Sequence, residues 1–509
     1  MAVKSVFLVV FFAIMILVGI RSRKQVSNVN DFVLGGRQVG PWLTAFAFGT
    51  AYFSSVVFVG YAGQFGWQYG ISSTWIGLGN AFIGSLMAWI VLGRRTRVMT
   101  NHLSASTMPE FFGKRYQSNF LKIVSSVIIF IFMIPYTASI YNGLSRLFGM
   151  AFDIPYEVCV IVMAVLTGIY VILGGYVATA MNDFIQGIIM LAGIIAVIAS
   201  VLSGQGGFMA AMEKLAANPT MTGAATDSST PGVYTSFFGP DPMGLLSVVI
   251  LTSLGTWGLP QMVHKFYAIK DERSIKTGTV VSTVFALIVA GGSYFLGGFG
   301  RLFNDSSFIT DGKVQYDGII PYMLSTLPDI LIGIVIVLVL SASMSTLSSL
   351  VLTSSSTLTL DFIKGTFAKN MTEKRQLTVL RILIGFFIIL SVVIALDPPT
   401  FIAQLMGISW GAMAGAFLAP FVLGLYWKRV TKISVWACFI TGVGITVANM
   451  FFNFFSSSVV AGAVAMLTGL VIVPIVSLFT PKLKKAHVDE CFSCYETAIK
   501  ERNAEEIVK

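Results

Sequence analysis

The stretch that decides the fold reads Val337-Leu-Val-Leu-Ser-Ala-Ser-Met-Ser-Thr-Leu-Ser-Ser-Leu350. It is apolar enough for a lipid bilayer, yet it carries a stripe of hydroxyl groups at Ser341, Ser345, Thr346, Ser348 and Ser349. Residues three and four apart share one face of a helix, so Ser345, Ser348 and Ser349 converge. Hydroxyl oxygens are hard, neutral ligands suited to a dehydrated alkali cation. They are equally common in packing seams between membrane helices, and spacing alone leaves both interpretations open.

The composition around this stretch is typical of a polytopic membrane protein. The 509 residues are 55% hydrophobic and only 11% charged, and their mean hydropathy is +0.82. A soluble domain of this length carries far more charge. The net charge of +10 is concentrated in short loops between apolar runs, which indicates membrane orientation rather than nucleic-acid binding. We therefore predict a lipid bilayer as partner and no nucleic acid.

Runs of about 20 apolar residues predict thirteen transmembrane helices. They lie near residues 3–20, 41–62, 73–93, 121–147, 155–174, 183–203, 243–264, 277–299, 326–360, 376–396, 398–426, 432–453 and 457–480. The first run lacks a small-residue cleavage site, which indicates a retained helix rather than a signal peptide. We predict one multi-pass transmembrane domain over residues 1–481 and a cytoplasmic tail over residues 482–509.

Basic loops alternate along the chain with loops that are acidic or nearly uncharged. The basic loops are 21–24, 94–97, 265–276, 364–375 and 428–432, and those between them include 63–70, 204–242, 301–317 and 397–399. Loops rich in lysine and arginine remain on the cytoplasmic side. The alternation therefore predicts a cell-membrane protein with an external N-terminus and a cytoplasmic C-terminus.

Two of the predicted spans are interrupted in mid-membrane. The second contains Ala47-Phe-Gly-Thr-Ala-Tyr-Phe-Ser-Ser55, and the seventh contains Thr252-Ser-Leu-Gly-Thr-Trp-Gly-Leu-Pro260. Backbone groups freed at membrane depth are tolerated where they line a cavity or bind a ligand. An offset of five spans is expected for two inverted repeats that each open with a broken helix. Simple proline kinks with packing glycines are the alternative.

Residues that could carry chemistry are few. Asp183 opens the sixth span and is either a helix N-cap near the cytoplasmic surface or a carboxylate that faces the hydroxyl stripe. The chain has no His-Glu-x-x-His, P-loop or Gly-x-Ser-x-Gly motif, and its three histidines fall in predicted cytoplasmic segments. We therefore predict that it is not an enzyme. Cys491 and Cys494, with His487 upstream, form only a weak metal or redox motif.

Several motifs resemble the sodium:solute symporter family, and its bacterial sodium/proline branch most of all. They are Gly35-Gly-Arg37 with Gly40-Pro-Trp42, Gly174-Gly-Tyr176 with Asp183 and Gln186, and Ala342-Ser-Met-Ser-Thr-Leu-Ser348. The resemblance extends from residue 31 to residue 429. It implies an all-α membrane protein with a LeuT-type core of 5+5 inverted repeats at about residues 41–426. One extra N-terminal helix and two extra C-terminal helices are implied as well.

The resemblance also implies where coupling ions bind. The family's sodium site falls on backbone carbonyls of Thr50, Phe53 and Ala342 and on the hydroxyls of Ser345 and Thr346. Members of the sialic acid branch bind a second sodium through three serines and an aspartate. The matching positions here are Ser345, Ser348, Ser349 and Asp183. One or two sodium ions are therefore expected to accompany each solute.

The solute site is expected where the two interrupted spans meet. Proline transporters have Ala-Ser-Asp-Met-Ser where this chain has Thr50-Ala-Tyr-Phe-Ser54, so Tyr52 replaces a carboxylate. The candidate solute contacts are uncharged: Tyr52, Ser54, Ser55, Tyr136, Thr252 and Thr256.

The favoured function is sodium-coupled import of a small organic solute by alternating access, with an amino acid such as proline or a similar small carboxylate as the solute. The alternatives are a sodium-coupled sugar, sialic acid or vitamin symporter, a proton- or substrate-gradient-driven carrier of the same fold, a non-transporting solute receptor and a channel. No feature of the sequence bears on the oligomeric state.

Overall fold

The computed structural model describes residues 2–22, 28–152, 154–217, 230–303, 309–310 and 313–507, and within these ranges the chain is almost entirely helical. Helices α1 to α7 are Ala2–Ser22, Val29–Leu34, Pro41–Tyr52, Ala62–Tyr69, Thr74–Gly79, Arg94–His102 and Met108–Arg115. Helices α8 to α14 are Asn119–Phe152, Tyr156–Gly204, Phe208–Ala217, Pro242–Val249, Pro260–Tyr267, Glu272–Gly297 and Tyr316–Ser325. Helices α15 to α21 are Asp329–Thr357, Lys364–Thr366, Glu373–Leu396, Ile402–Tyr426, Lys432–Phe452, Ser458–Phe479 and Lys485–Ile507.

Shorter segments complete this framework. Five π-helical segments are Val56–Tyr61, Asn80–Met87, Trp89–Gly93, Ile250–Leu254 and Leu358–Ile363. Five 3₁₀ segments are Gly35–Arg37, Gly70–Ser73, Val233–Thr235, Gly255–Trp257 and Gly300–Phe303. Strands β1 (Ile309–Thr310) and β2 (Lys313–Val314) form a small antiparallel hairpin. Basic residues Arg23 and Lys24 of the first predicted loop lie outside the described residues.

The all-α membrane architecture is confirmed, but the predicted count of thirteen spans is not. Among the described residues, twelve helical segments are long and apolar enough to cross a membrane. The difference arises at the first interruption. Its leading half, α3, has only 12 residues, and the helical chain after the break continues from Val56 to His102 as one segment.

Helix α15 lies at the centre of the molecule and contains the serine-rich stretch. It packs against α1, α3, α8, α9 and α17. Residues 335–357 of α15 are all buried, on every side of the helix. A helix that is buried all round has no side that faces lipid or water, so all of its hydroxyl groups lie in the protein interior. The hydroxyls of α15 must therefore find partners in their own helix backbone, in neighbouring helices or in a ligand.

Both predicted helix interruptions are confirmed. Helix α3 ends at Tyr52, and Phe53 is extended with φ −105° and ψ 131°. The second break lies at Leu259, which is extended with φ −82° and ψ 121° directly before Pro260 begins α12. Proline suits the first position of a helix because its missing N–H would have no partner there. A Cβ at Gly258 would lie 2.7 Å from the backbone nitrogen of Leu418, so this break packs directly on α18.

The Gly35-Gly-Arg37 motif builds a turn that holds the end of α12. All three residues have positive φ, at 58°, 63° and 57°. Glycine adopts this conformation without the steric cost borne by other residues. The turn directs the Arg37 guanidinium to donate to the carbonyl of Tyr267 at 3.0 Å and to that of Ala105 at 2.5 Å. Arginine hydrogen bonds to the last carbonyls of a helix stabilise its C-terminus.

The C-terminal segment forms helix α21, which packs on the membrane domain through α6. The Tyr495 hydroxyl lies 3.3 Å from the Arg95 carbonyl, and Lys428 pairs with Asp489 at 2.9 Å. Cys491 and Cys494 lie on the buried side of α21, and burial raises the pKa of both thiols, that of Cys494 to about 11. Protonated thiols are poor nucleophiles and poor metal ligands. The domain boundary at residue 481 stays a prediction.

Candidate functional site

The first broken helix meets α15 through oxygen atoms. The Ser345 hydroxyl donates to the Thr50 hydroxyl at 2.9 Å. The Thr346 oxygen lies 3.1 Å from both the Phe53 carbonyl and the Ala342 carbonyl. All five residues are buried. The structure therefore brings together every member of the predicted first sodium site, although its assignment to sodium stays a prediction.

This cluster has the chemistry that a small monovalent cation needs. The break at Phe53 takes its carbonyl out of the regular helical ladder and leaves it facing Thr346. Hydroxyl hydrogens rotate freely, so Ser345 and Thr346 can turn their lone pairs toward a shared point. A cation at that point would link the end of α3 to the middle of α15.

The predicted second sodium site has three serines on α15, Ser345, Ser348 and Ser349, and the carboxylate of Asp183 on the neighbouring helix α9. Asp183 is fully buried, and neither of its carboxylate oxygens accepts a well-oriented hydrogen bond from a described residue. Ser348 donates at 2.8 Å to the Ser345 carbonyl within its own helix. Ser349 instead accepts a hydrogen bond at 3.0 Å from the ammonium group of Lys265.

Lys265 is a site residue that the sequence did not reveal. It was predicted to begin a cytoplasmic loop, and His264 was predicted in a cytoplasmic segment. The predicted loop start at Lys265 is wrong, because α12 continues to Tyr267 and buries both side chains. The side of the membrane on which they lie stays a prediction. The Lys265 ammonium lies 3.6 Å from an Asp183 oxygen and 5.2 Å from the centre of the Tyr176 ring.

The predicted solute-contacting residues are all buried where the two breaks approach each other. The Tyr52 hydroxyl donates to the Thr252 carbonyl at 2.5 Å and so joins α3 to the second broken helix. The hydroxyls of Thr252 and Thr256 donate to the Asn80 side chain at 3.0 Å and the Gly84 carbonyl at 3.2 Å. These two threonines therefore hold the second broken helix against the segment Asn80–Met87.

The two serines after the first break have different partners. Ser55 donates to the Ile140 carbonyl of α8 at 2.9 Å, and its backbone N–H donates to the Ser343 hydroxyl at 3.3 Å. Ser54 accepts from the backbone N–H of Val56 at 3.2 Å, as a cap on the helix that restarts there. Ser55 thus positions the first break against both α8 and α15.

Trp410 of α18 is a second residue that sequence reasoning missed. Its ring packs edge-on against Tyr52 at 6.2 Å and against Tyr136 at 5.9 Å, measured between ring centroids. The Tyr136 hydroxyl and the Trp410 indole N–H lack well-oriented hydrogen-bond partners among the described residues. Buried polar groups of this kind usually find a partner. The three rings form an aromatic wall in which the Tyr52 hydroxyl is bonded to Thr252, while the Tyr136 hydroxyl lies beside the Trp410 indole.

Two broken helices that face a central buried helix, within a bundle of apolar helices, define a LeuT-type secondary transporter. The fold is similar to that of a Na⁺-coupled sialic acid symporter solved in a substrate-bound, outward-open state. That match has a TM-score of 0.74 at 18% identity and covers 95% of this chain and 99% of the other. A closed structure from the nucleobase-cation-symport-1 family matches with a TM-score of 0.50 at 14% identity, over 90% of this chain and 97% of the other.

The sequence profile of the sodium:solute symporter family matches residues 32–442, and the chain belongs to this family. It is thus a sodium-coupled symporter of a small solute. The osmoregulated proline transporter of Bacillus subtilis is 29% identical over 446 residues, which cover 85% of this chain and 86% of that protein. The sodium/proline symporter of Salmonella typhimurium is 27% identical over 441 residues, which cover 84% of each chain. These relatives are transporters rather than enzymes.

Proposed function

We propose that the protein imports a small amino acid or a similar small carboxylate together with sodium, without any chemical step. The observation that carries the proposal is the convergence of the first broken helix on the hydroxyls of α15. The names of the most similar relatives support a solute of this class. The alternation of basic loops supports a cell-membrane protein with an external N-terminus and a cytoplasmic C-terminus.

Sodium binds, in this proposal, to the carbonyls of Thr50, Phe53 and Ala342 and to the hydroxyls of Ser345 and Thr346. The ion is bound by oxygen atoms of both α3 and α15 and replaces the direct contacts between the two helices. Its binding therefore favours the conformations in which these helices stay together. Solute binding that prefers the same conformations is then linked to sodium binding. Release of sodium on the inner side weakens solute binding and completes the cycle.

In this proposal the solute binds between the two breaks, beside Tyr52, Tyr136 and Trp410. Helix α12 begins at the second break, and its positive N-terminal end favours a carboxylate. The aromatic rings supply an apolar wall for the rest of the solute. Ser54, Ser55, Thr252 and Thr256 hold the two breaks in position around it.

Tyr52 takes the position of an aspartate in proline transporters. A neutral hydroxyl there removes one partner for a positively charged amino group. The Tyr52 hydroxyl donates to the Thr252 carbonyl of the second broken helix. A solute that binds beside Tyr52 therefore affects this contact between the two broken helices. We therefore expect a solute whose binding, unlike that of proline, does not require a carboxylate at this position to pair with its amino group.

A thermal-shift screen of the purified protein tests this function. Amino acids, monocarboxylates, sugars, sialic acid and vitamins are each added in sodium chloride and, as control, in potassium chloride. A ligand that binds the folded state raises the unfolding temperature according to its concentration and affinity. We expect a small carboxylate or amino acid to stabilise the protein more in sodium than in potassium.

Equal stabilisation in both salts would contradict sodium coupling, and stabilisation by a sugar alone would contradict the solute class. Ligands found in this way are then tested for uphill uptake into proteoliposomes under a sodium gradient. A receptor binds without uptake, and a channel passes solute without accumulating it.

A further inference from the structure

The buried carboxylate of Asp183 needs a compensating charge. It lies within α9 with no exposed surface and no well-oriented hydrogen bond from a described residue. An ionised carboxylate in a protein interior is costly unless it is paired with a positive group. The hydroxyls of Ser345, Ser348 and Ser349 lie on the facing side of α15. A carboxylate on one helix that faces hydroxyl groups on the next has the chemistry of a monovalent cation site.

The chain supplies a cation to this cluster from its own sequence. Lys265 reaches in from α12, and only 2% of its side chain is exposed. Its ammonium is 3.6 Å from Asp183 and donates to the Ser349 hydroxyl at 3.0 Å. The Tyr176 ring lies on another side, at a distance suited to a cation–π contact. Carboxylate, hydroxyl and aromatic face thus surround one positive charge.

We propose that the Lys265 ammonium is the resident cation of the Asp183 cluster and takes the position that a second sodium would require. This inference rests on the proposed function, since it concerns how many sodium ions that function uses. An ammonium and a sodium ion carry the same charge and compete for the same oxygen atoms. Two like charges cannot share one buried carboxylate without strong repulsion. The protein therefore binds one exchangeable sodium per chain, at the Thr50 and Thr346 cluster.

A lysine ammonium, unlike a bound sodium ion, stays attached to the protein throughout transport. The Lys265 charge links α12 to both α9 and α15, and it cannot leave with the solute. One sodium ion and one solute are then the ligands carried across the membrane in each transport cycle.

Equilibrium binding of ²²Na⁺ to purified protein tests this inference without a known solute. The wild type is expected to bind one sodium per chain. Lys265→Ala removes the ammonium and opens space beside Asp183, so it is expected to bind two. The double variant Lys265→Ala/Asp183→Asn removes the carboxylate as well and is expected to bind one.

Two sodium ions in the wild type, or one in folded Lys265→Ala, would overturn the inference. No sodium binding in the wild type would instead overturn the proposed function, so the two failures are distinct. If Lys265→Ala is unstable, recovery in sodium but not in potassium supports the inference, because sodium then replaces the lost ammonium. Failure to recover it in either salt counts against the inference.

Discussion

The two broken helices contact the same central helix in chemically different ways. The first offers carbonyl and hydroxyl oxygens, and its contacts with Ser345 and Thr346 are neutral. The second offers the ammonium of Lys265, which pairs with Asp183 and bonds to Ser349. Serines on two sides of α15 therefore have different roles. A hydroxyl stripe indicates where a cation can bind. The residues that pack against the stripe decide whether that cation is an exchangeable ion or the ammonium group of a lysine.

Asp183→Asn is expected to have the largest effect, on stability. It leaves the Lys265 ammonium buried without a counter-charge, which typically costs about 3–5 kcal/mol. The midpoint of thermal unfolding in detergent should fall by many degrees. Adding Lys265→Met to this variant removes the unpaired charge and should restore most of the loss. If Asp183→Asn alone is as stable as the wild type, the buried ion pair is not the contact described here.

Glu272→Gln is the matched control for this prediction. It removes the carboxylate of the Arg94–Glu272 pair, which lies at 2.8 Å but is about one-third exposed on each side. Solvent-exposed pairs contribute about 0–1 kcal/mol. Its unfolding midpoint should remain close to that of the wild type.

Thr346→Ala is expected to act on sodium binding at the first broken helix. The hydroxyl contacts the carbonyls of Phe53 and Ala342, and its loss removes one ligand while the helix backbone is retained. A hydrogen-bonding or ligand oxygen at a charged group contributes about 1.5–3 kcal/mol, so the dissociation constant for sodium should rise about 10- to 100-fold. Titration of ²²Na⁺ binding measures this change.

Ser348→Ala provides the comparison on the same helix. The Ser348 hydroxyl donates to a carbonyl of its own helix. Its removal should change sodium affinity about twofold or less, on the order of 0.4 kcal/mol. A loss as large as that of Thr346→Ala would show that sodium uses the second side of α15.

Asp317 provides a comparison with Asp183, because it is a buried carboxylate that no lysine of the described residues pairs with, and its effect on stability can be measured. It lies in α14, outside the candidate membrane spans. Among the described residues it accepts a 3.3 Å hydrogen bond from the Ile402 backbone N–H, and the charge of Arg146 acts on it from further away. Burial raises the pKa of this carboxyl to about 6, above its ordinary value of about 4. The folded protein therefore holds a proton that the unfolded chain has released, and its stability should fall as the pH rises from about 4 to about 6. Linkage gives a change on the order of 3 kcal/mol, and Asp317→Asn should abolish it in unfolding measured across this range.

The broken helices could be predicted from sequence because their causes are local. Glycines, hydroxyls and Pro260 occur in otherwise apolar runs, and the breaks at Phe53 and Leu259 fall within the stretches they mark. The convergence of Ser345 and Thr346 on the first break was implied by the family resemblance, whereas helical spacing alone groups Ser345 with Ser348 and Ser349.

Lys265 and Trp410 could not be found in the same way because their roles depend on tertiary contacts. An apolar run is taken to end at its first charged residue, so Lys265 was placed in a loop. Its burial depends on Asp183, which is 82 positions earlier in the chain, and on the Arg37 contacts that hold the end of α12. Trp410 lies in a span without any interruption, and only the fold brings it against Tyr52 and Tyr136.

The ratio of sodium flux to solute flux in proteoliposomes, at a known membrane potential, tests the central claim most directly. The solute is the one identified by the sodium-dependent thermal-shift screen. The account predicts one sodium ion per solute in the wild type, because the Lys265 ammonium holds the second cation position. A ratio of two would contradict the role of Lys265, and a flux that does not depend on sodium would contradict the transport mechanism itself.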